Sequence, residues 1–164
     1  MKLDYRALLA LAYAKALESP DPSTQNGALL ISDAGKILAA DCNRFPDGVH
    51  DTKERWERPL KYKIIEHAER NACYAAGKAG IKTDELVMVC CWATCTDCAR
   101  AIIQCGVKRL VTHKQAYDRS PESWKTDIDL ALQMLREAGV EFVMYDGIIG
   151  VVSAVRHSGQ LWHP

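Results

Sequence analysis

Apolar positions at Leu8, Leu9, Ala12, Tyr13 and Ala16 recur at the spacing of one helical face, predicting an amphipathic helix over residues 3 to 18. Ser19-Pro20-Asp21-Pro22-Ser23 ends it, because two prolines cannot continue a helix. The runs 28–31 and 37–40 flank Ser32-Asp33-Ala34-Gly35 and predict a hairpin. Residues 45 to 59 are polar and punctuated by Gly and Pro, the pattern of a long ordered loop. The Ala-rich stretch 67–79 predicts a second helix. The continuous apolar run 86–92 predicts a strand covered on both faces. A helix over 95–105 follows, stopped by Gly106, then a strand over 108–113. A helix over 123–138 ends at Gly139, a natural C-terminal cap, and precedes a strand over 140–145; residues 148–155 are a further candidate strand. Helices alternating with strands in the second half predict a three-layer α/β/α domain around a central, mixed, five-stranded sheet. A chain of 164 residues forms one such domain, here residues 1–164 with a core of about 21–145.

This pattern places His67 and Cys95 at the starts of two neighbouring helices, where both can meet at one edge of the sheet. His67 with Cys95 and Cys98 offers one imidazole and two thiolates. Three protein ligands that leave a fourth position open are the arrangement of catalytic zinc, whereas structural zinc takes four. No second close Cys or His pair follows, so the catalytic reading is preferred. The spacing of three puts Cys95 and Cys98 on one helical face, and the helix N-terminus favours thiolate. Glu69 lies two residues from His67 and is the proton carrier: a carboxylate beside the metal that does not ligate it. Cys42, Cys73, Cys90, Cys91 and Cys105 read as buried core thiols. His50, His113, His157 and His163 read as solvated or internally satisfied.

The motif His67-Ala68-Glu69 with Asn71-Ala72, and Cys95-Thr96-Asp97-Cys98-Ala99, resembles the cytidine and deoxycytidylate deaminase superfamily, and within it the dCMP deaminases. The likeness runs from Asp21 to Phe142, through Asp21-Pro22-Ser23-Thr24, Gly27-Ala28, Asn43-Arg44-Phe45-Pro46 with Gly48, and Ile102-Ile103-Gln104 with Gly106 and Val111. It implies the cytidine-deaminase-like fold, a Zn2+ cofactor, and hydrolytic deamination of dCMP to dUMP with release of ammonia, in pyrimidine deoxynucleotide metabolism. It also implies substrate contacts at Asn43 and Ala68, and an Arg or Lys for the 5′-phosphate. Arg119, with Tyr117 nearby, is the candidate for the phosphate, ahead of Arg44. Thr94 stands where the family has Pro, and Arg44 where it has Gly. Asn26 replaces Val; it either bears on base recognition or caps a turn, the turn cap being the simpler reading.

Charge and composition narrow the partners. Lys and Arg number 21, as do Asp and Glu, so net charge is zero and no stable nucleic-acid binding is expected. That balance weighs against a tRNA adenosine deaminase, the second enzyme reading, beside other cytosine nucleoside or nucleotide deaminases. The remaining alternative is a non-catalytic, zinc-holding nucleotide-binding domain, against which the retained Glu69 argues. The charged opening Met1-Lys2-Leu3-Asp4-Tyr5-Arg6 reads as no export signal and no apolar run is long enough for a membrane span; with seven Cys this predicts reduced thiols in the cytoplasm. The resemblance further implies a homo-oligomer, hexamer or dimer, with dCTP and dTTP as allosteric effectors.

Overall fold

A computed structural model describes residues 3–150 and 152–164. Residues 1 and 2 of the opening segment, and residue 151 inside the candidate strand 148–155, lie outside the described residues. Helix α1 (Tyr5–Ala16) starts where the Asp4 carboxylate accepts the Ala7 N–H at 3.0 Å, and buries the predicted face. Strands β1 (Gly27–Ile31) and β2 (Ile37–Cys42) form the predicted antiparallel hairpin. Then come helices α2 (Lys61–Ile64) and α3 (Ala68–Lys78), strand β3 (Val87–Cys90), helix α4 (Thr96–Gln104), and strand β4 (Arg109–His113). Helices α5 (Lys114–Asp118) and α6 (Glu122–Glu137), strand β5 (Glu141–Tyr145), and a separate hairpin of β6 (Val155–His157) and β7 (Gln160–Trp162) complete the described order.

The five-stranded sheet runs β2-β1-β3-β4-β5, antiparallel around β1 and parallel from β3 to β5, so it is mixed as expected. Alternation along β1 and β3 sorts side chains to opposite faces. Ala28, Leu30, Met88 and Cys90 join a core under α3, α4 and α6, while Leu29, Ile31, Val87 and Val89 join a core under α1. The sheet is therefore covered on both sides, giving three layers. Gly27 allows the closest approach: a Cβ there would fall on the Ala12 carbonyl oxygen and 2.6 Å from the Ala16 nitrogen. Only glycine lets α1 lie this close to β1.

The C-terminal expectation needs correction. Residues 148–150 are not a strand; Ile149 is buried under the α1 face while Ile148 is exposed. The strand begins at Val155 and pairs with β7, outside the central sheet. Helix α2 lies between the loop read at 45–59 and the helix read from 67, in residues given no element, and α5 lies in the stretch after the 108–113 strand read as loop; each is a single turn or so. The 45–59 loop includes one 3-10 turn, Lys53–Trp56.

Candidate active site

His67 and Cys95 occupy the N-cap positions of α3 and α4, and neither makes a side-chain capping bond. Ser, Thr, Asp and Asn are the usual residues there, worth about 1 kcal/mol over residues that do not cap. Both positions give up that stabilisation and turn their side chains toward one another. His67 Nδ1 lies 3.4 Å from Cys95 Sγ and 3.5 Å from Cys98 Sγ, and the three donor atoms fall within 4.8 Å of one another. A tetrahedral zinc with ordinary Zn–N and Zn–S bonds sets nitrogen and sulfur about 3.5 Å apart, so the donor set fits Zn2+. From α6, Asp127 accepts the Thr96 N–H at 3.0 Å and the Thr96 hydroxyl at 2.8 Å, supplying the cap that Cys95 does not. This clamp holds the turn where Thr94 stands in place of Pro. Arg70 donates to Cys98 Sγ at 3.4 Å and pairs with Glu66, an outer partner for the ligand sulfur that the sequence pattern did not reveal.

Glu69, in the first turn of α3, is 2% exposed. Burial pushes its carboxyl above the ordinary range, against the pull of His67. The Cys95 thiol is held well below the usual value, chiefly because Cys98 donates to it, and Cys98 is raised in turn, so the pair holds one thiolate when only protons are present. Burial favours neutral His67, but its bond to the Cys95 sulfur reverses that effect. Metal binding takes both sulfurs as thiolates and releases the protons.

His67, Glu69 and Cys95 line a cavity of about 260 Å³. A hydrogen-bonded wall leads away from Glu69. The Asn26 amide sits 3.5 Å from Glu69 Oε2 and 3.4 Å from Cys90 Sγ. Its backbone N–H donates to Asn43 Oδ1 at 2.7 Å. Asn43 Nδ2 donates to Asp21 at 2.9 Å and to the Thr24 carbonyl at 2.8 Å. Asp21 is paired with Lys61 at 2.7 Å. Arg58, Tyr62, Trp92, Trp124 and Ser158 line the rest.

Residues 2–114 match the family described as the cytidine and deoxycytidylate deaminase zinc-binding region. The chain belongs to this family. Mouse deoxycytidylate deaminase is 31% identical over 140 residues, covering 82% of this chain and 75% of that protein. An uncharacterised deaminase of Aliivibrio fischeri is 35% identical over 126 residues, covering 75% and 80%. In structure, the dCMP deaminase of cyanophage S-TIM5, solved in complex with dCMP and dUMP, superposes with a TM-score of 0.66 at 23% identity. That alignment covers 88% of this chain and 99% of the phage protein, and it shows a shared fold. Zinc is accordingly the metal expected of this family, and the His67, Cys95 and Cys98 group fits it.

Within this deaminase the remaining expected positions separate. Asn26 and Asn43 line the cavity, and the Asn26 side chain faces Glu69 rather than capping a turn. Ala68 opens α3 and is fully buried in the core, behind the cavity-lining residues. Tyr117 and Arg119 do not line the cavity. The Tyr117 hydroxyl donates to Asp129 at 3.1 Å, and Arg119 lies over the Trp162 ring at 5.2 Å, both engaged with neighbouring surface elements. Arg44 pairs with Asp41 and Asp47 beyond the cavity wall. Chain proximity to β4 put Arg119 forward; α5 carries it elsewhere. The cations at the cavity are Arg58, from the stretch read as a long ordered loop, and Lys61, just after it. Trp92, three residues before Cys95, enters the sequence pattern only as the end of the apolar run 86–92, so the aromatic wall is not anticipated there.

Proposed function

We propose that this protein is a zinc-dependent hydrolase that deaminates dCMP to dUMP with release of ammonia, the whole chain serving as one deaminase domain. The observation that carries the reading is the meeting of His67, Cys95 and Cys98 beside Glu69 at a nucleotide-sized cavity that His67, Glu69 and Cys95 line. Deoxycytidylate deaminases among its relatives support the substrate. When bound, zinc lowers the pKa of a coordinated water to about 7 and so makes the nucleophile accessible at neutral pH.

The protein's own groups do the rest. Glu69, buried and with a raised carboxyl pKa, takes a proton from the attacking water and places it on the ring nitrogen next to the amino-bearing carbon. As the new carbon–oxygen bond becomes a carbonyl, Glu69 passes the second proton to the amino nitrogen, the carbon–nitrogen bond breaks, and ammonia leaves. Asn26 stands against the carboxylate and restricts where it swings. Trp92 and Trp124, with ring centroids 6.3 Å apart, give the base a desolvated aromatic wall. At the other end, Lys61 is already neutralised by Asp21, so the net positive charge for a 5′-phosphate comes from Arg58.

Among the described residues no helix is long and apolar enough to cross a membrane. A cytoplasmic homo-oligomer, hexamer or dimer, with dCTP and dTTP as effectors, rests on the family alone and is tested by size-exclusion mass and by rate measurements with each triphosphate. The deciding assay for the activity is ammonia release from dCMP, CMP, dCTP, deoxycytidine and adenosine-containing RNA. dCMP should give the highest kcat/KM; turnover of the RNA but not of dCMP overturns the proposal.

A further inference from the structure

The cavity lining that lies beyond the family-matched segment comes from the start of α6 (Pro121, Ser123, Trp124, Ile128) and from Ser158 in the turn between β6 and β7. We propose that Ser158, at the tip of that turn, is a specificity-determining residue that contacts the 5′-phosphate of the nucleotide; this rests on the nucleotide-deaminase reading above.

The argument begins with how firmly the turn is held. The turn and the β6 strand leading into it exchange five hydrogen bonds with the 21–25 segment: Gln25 N to the Arg156 carbonyl at 2.9 Å, Arg156 N to Gln25 Oε1 at 3.1 Å, the Arg156 side-chain Nε to the Asp21 carbonyl at 3.1 Å, Ser158 N to Thr24 Oγ1 at 3.0 Å, and Gly159 N to the Ser23 carbonyl at 2.8 Å. Behind the turn, His157 packs on Trp92 with centroids 4.5 Å apart, and Trp162 stacks on His113 at 5.7 Å. The tip is therefore fixed to the rigid body of the domain, as a specificity element needs to be.

Its position follows from the polar wall. Starting at Glu69, the bonded series passes through Asn26 and Asn43 to Asp21 and Thr24, and Thr24 Oγ1 accepts the Ser158 N–H. Ser158 is thus bonded to the Asp21–Thr24 segment and lines the cavity together with Asp21, Thr24, Arg58 and Lys61. In the proposed binding mode a nucleotide runs from its amino group at Glu69 along this bonded series, with its 5′ end toward Ser158 and Arg58. The Ser158 hydroxyl takes no part in the five docking bonds and is open to donate to an anion.

Backbone conformation adds an independent reason to look here. Ser158 has φ +52°, a left-handed value, followed by Gly159 at +81°. This is the two-residue hairpin turn in which glycine or asparagine is favoured at both positions, and a serine costs of order 1 kcal/mol. A hydroxyl-bearing residue held at a position that would fold better as glycine indicates a use for the hydroxyl.

The test compares S158A and S158G with the unchanged protein at fixed zinc, using dCMP and deoxycytidine, the latter read as a competitive inhibitor if it is not turned over. Losing one donor to a charged phosphate should raise KM for dCMP about tenfold in both variants while kcat moves less than twofold. Deoxycytidine, which has no phosphate, should change at most twofold. S158G should keep or raise Tm, since glycine adopts the turn freely, so its KM loss cannot be ascribed to folding. An unchanged KM for dCMP in both variants, or equal losses on the two ligands, overturns the proposal and leaves the deaminase reading standing. A wild-type protein that releases ammonia from no cytosine nucleotide overturns both.

Discussion

The Asp21–Lys61 pair should be strongly asymmetric in its contribution to stability. Both side chains are buried, 2% and 7% exposed, and the pair joins the loop after α1 to helix α2. Asp21 has four donors: Lys61 Nζ at 2.7 Å, Asn43 Nδ2 at 2.9 Å, and the Ser23 and Thr24 N–H groups at 2.8 and 3.2 Å. Lys61 has Asp21 as its hydrogen-bond partner and the Trp56 ring 5.7 Å away. Removing one member of a buried pair costs about 3–5 kcal/mol when the survivor is left uncompensated. Asp21→Asn leaves exactly that kind of survivor, an ammonium with a donor amide beside it. Lys61→Met leaves a carboxylate that still accepts three N–H bonds, and should cost about 2 kcal/mol. The double variant removes both charges and should cost less than the sum by about 1–2 kcal/mol.

Equilibrium urea unfolding of the four proteins measures this, with zinc held at one saturating concentration because metal binding adds to apparent stability. In a chain of this size Asp21→Asn should lower Tm by about 10 °C and Lys61→Met by about half of that. If the two single variants are equally destabilised, or if their effects add in the double variant, the pair is not the coupled buried unit described here.

Three further outcomes follow from the site. Glu69→Gln should reduce kcat by at least about a thousandfold while bound zinc, measured by atomic absorption, is retained; loss of metal would place Glu69 among the ligands. Arg58→Ala should raise KM for dCMP about tenfold or more with little effect on kcat, and an unchanged KM would remove Arg58 from the phosphate end. Burial, assisted by Arg119, lowers the His157 pKa from 6.5 to about 4, so the unfolded chain binds the proton first. Stability from this group is present above pH 6.5 and lost as pH falls toward 4, by about 2 kcal/mol. His113, lowered by burial, contributes in the same direction, so the measurement is the difference between wild type and His157→Phe in urea midpoints from pH 7.5 to 4.5. Parallel profiles would contradict it.

The reacting end of the cavity was legible in the sequence and the remote end was not, and the cause is spacing. His67 and Glu69 share one helical turn, as do Cys95 and Cys98, so local geometry carries their side chains together once α3 and α4 are recognised. The strand at 86–92 was readable because burial on both faces leaves an unbroken apolar run. Helix α2, of four residues, and α5, of five, are too short for a 3.6-residue period to show. Arg58 and Lys61 sit in and beside α2, so their access to the cavity was invisible, and Arg119, closer in sequence to a strand end, was favoured instead. The tail misled for a related reason: Ile149 and Val155 are apolar because they pack under α1, not because 148–155 is one strand.

Asn26 shows how a departure from a family pattern gains meaning only with its neighbours. Read alone, a polar residue before Gly27 suits a turn. Here Gly27 lets α1 press against β1, which fixes the start of the strand and points the Asn26 side chain to the face shared with Cys90 and Glu69. The backbone N–H of the same residue is taken by Asn43, so side chain and main chain of Asn26 tie the Glu69 carboxylate to the loop that carries Asn43. A valine at that position packs against the carboxylate without binding it; the amide adds a directional contact in a buried, low-dielectric corner, where such contacts are electrostatically strongest. The polar substitution therefore faces the cavity rather than a turn, and it begins the bonded series that reaches Ser158.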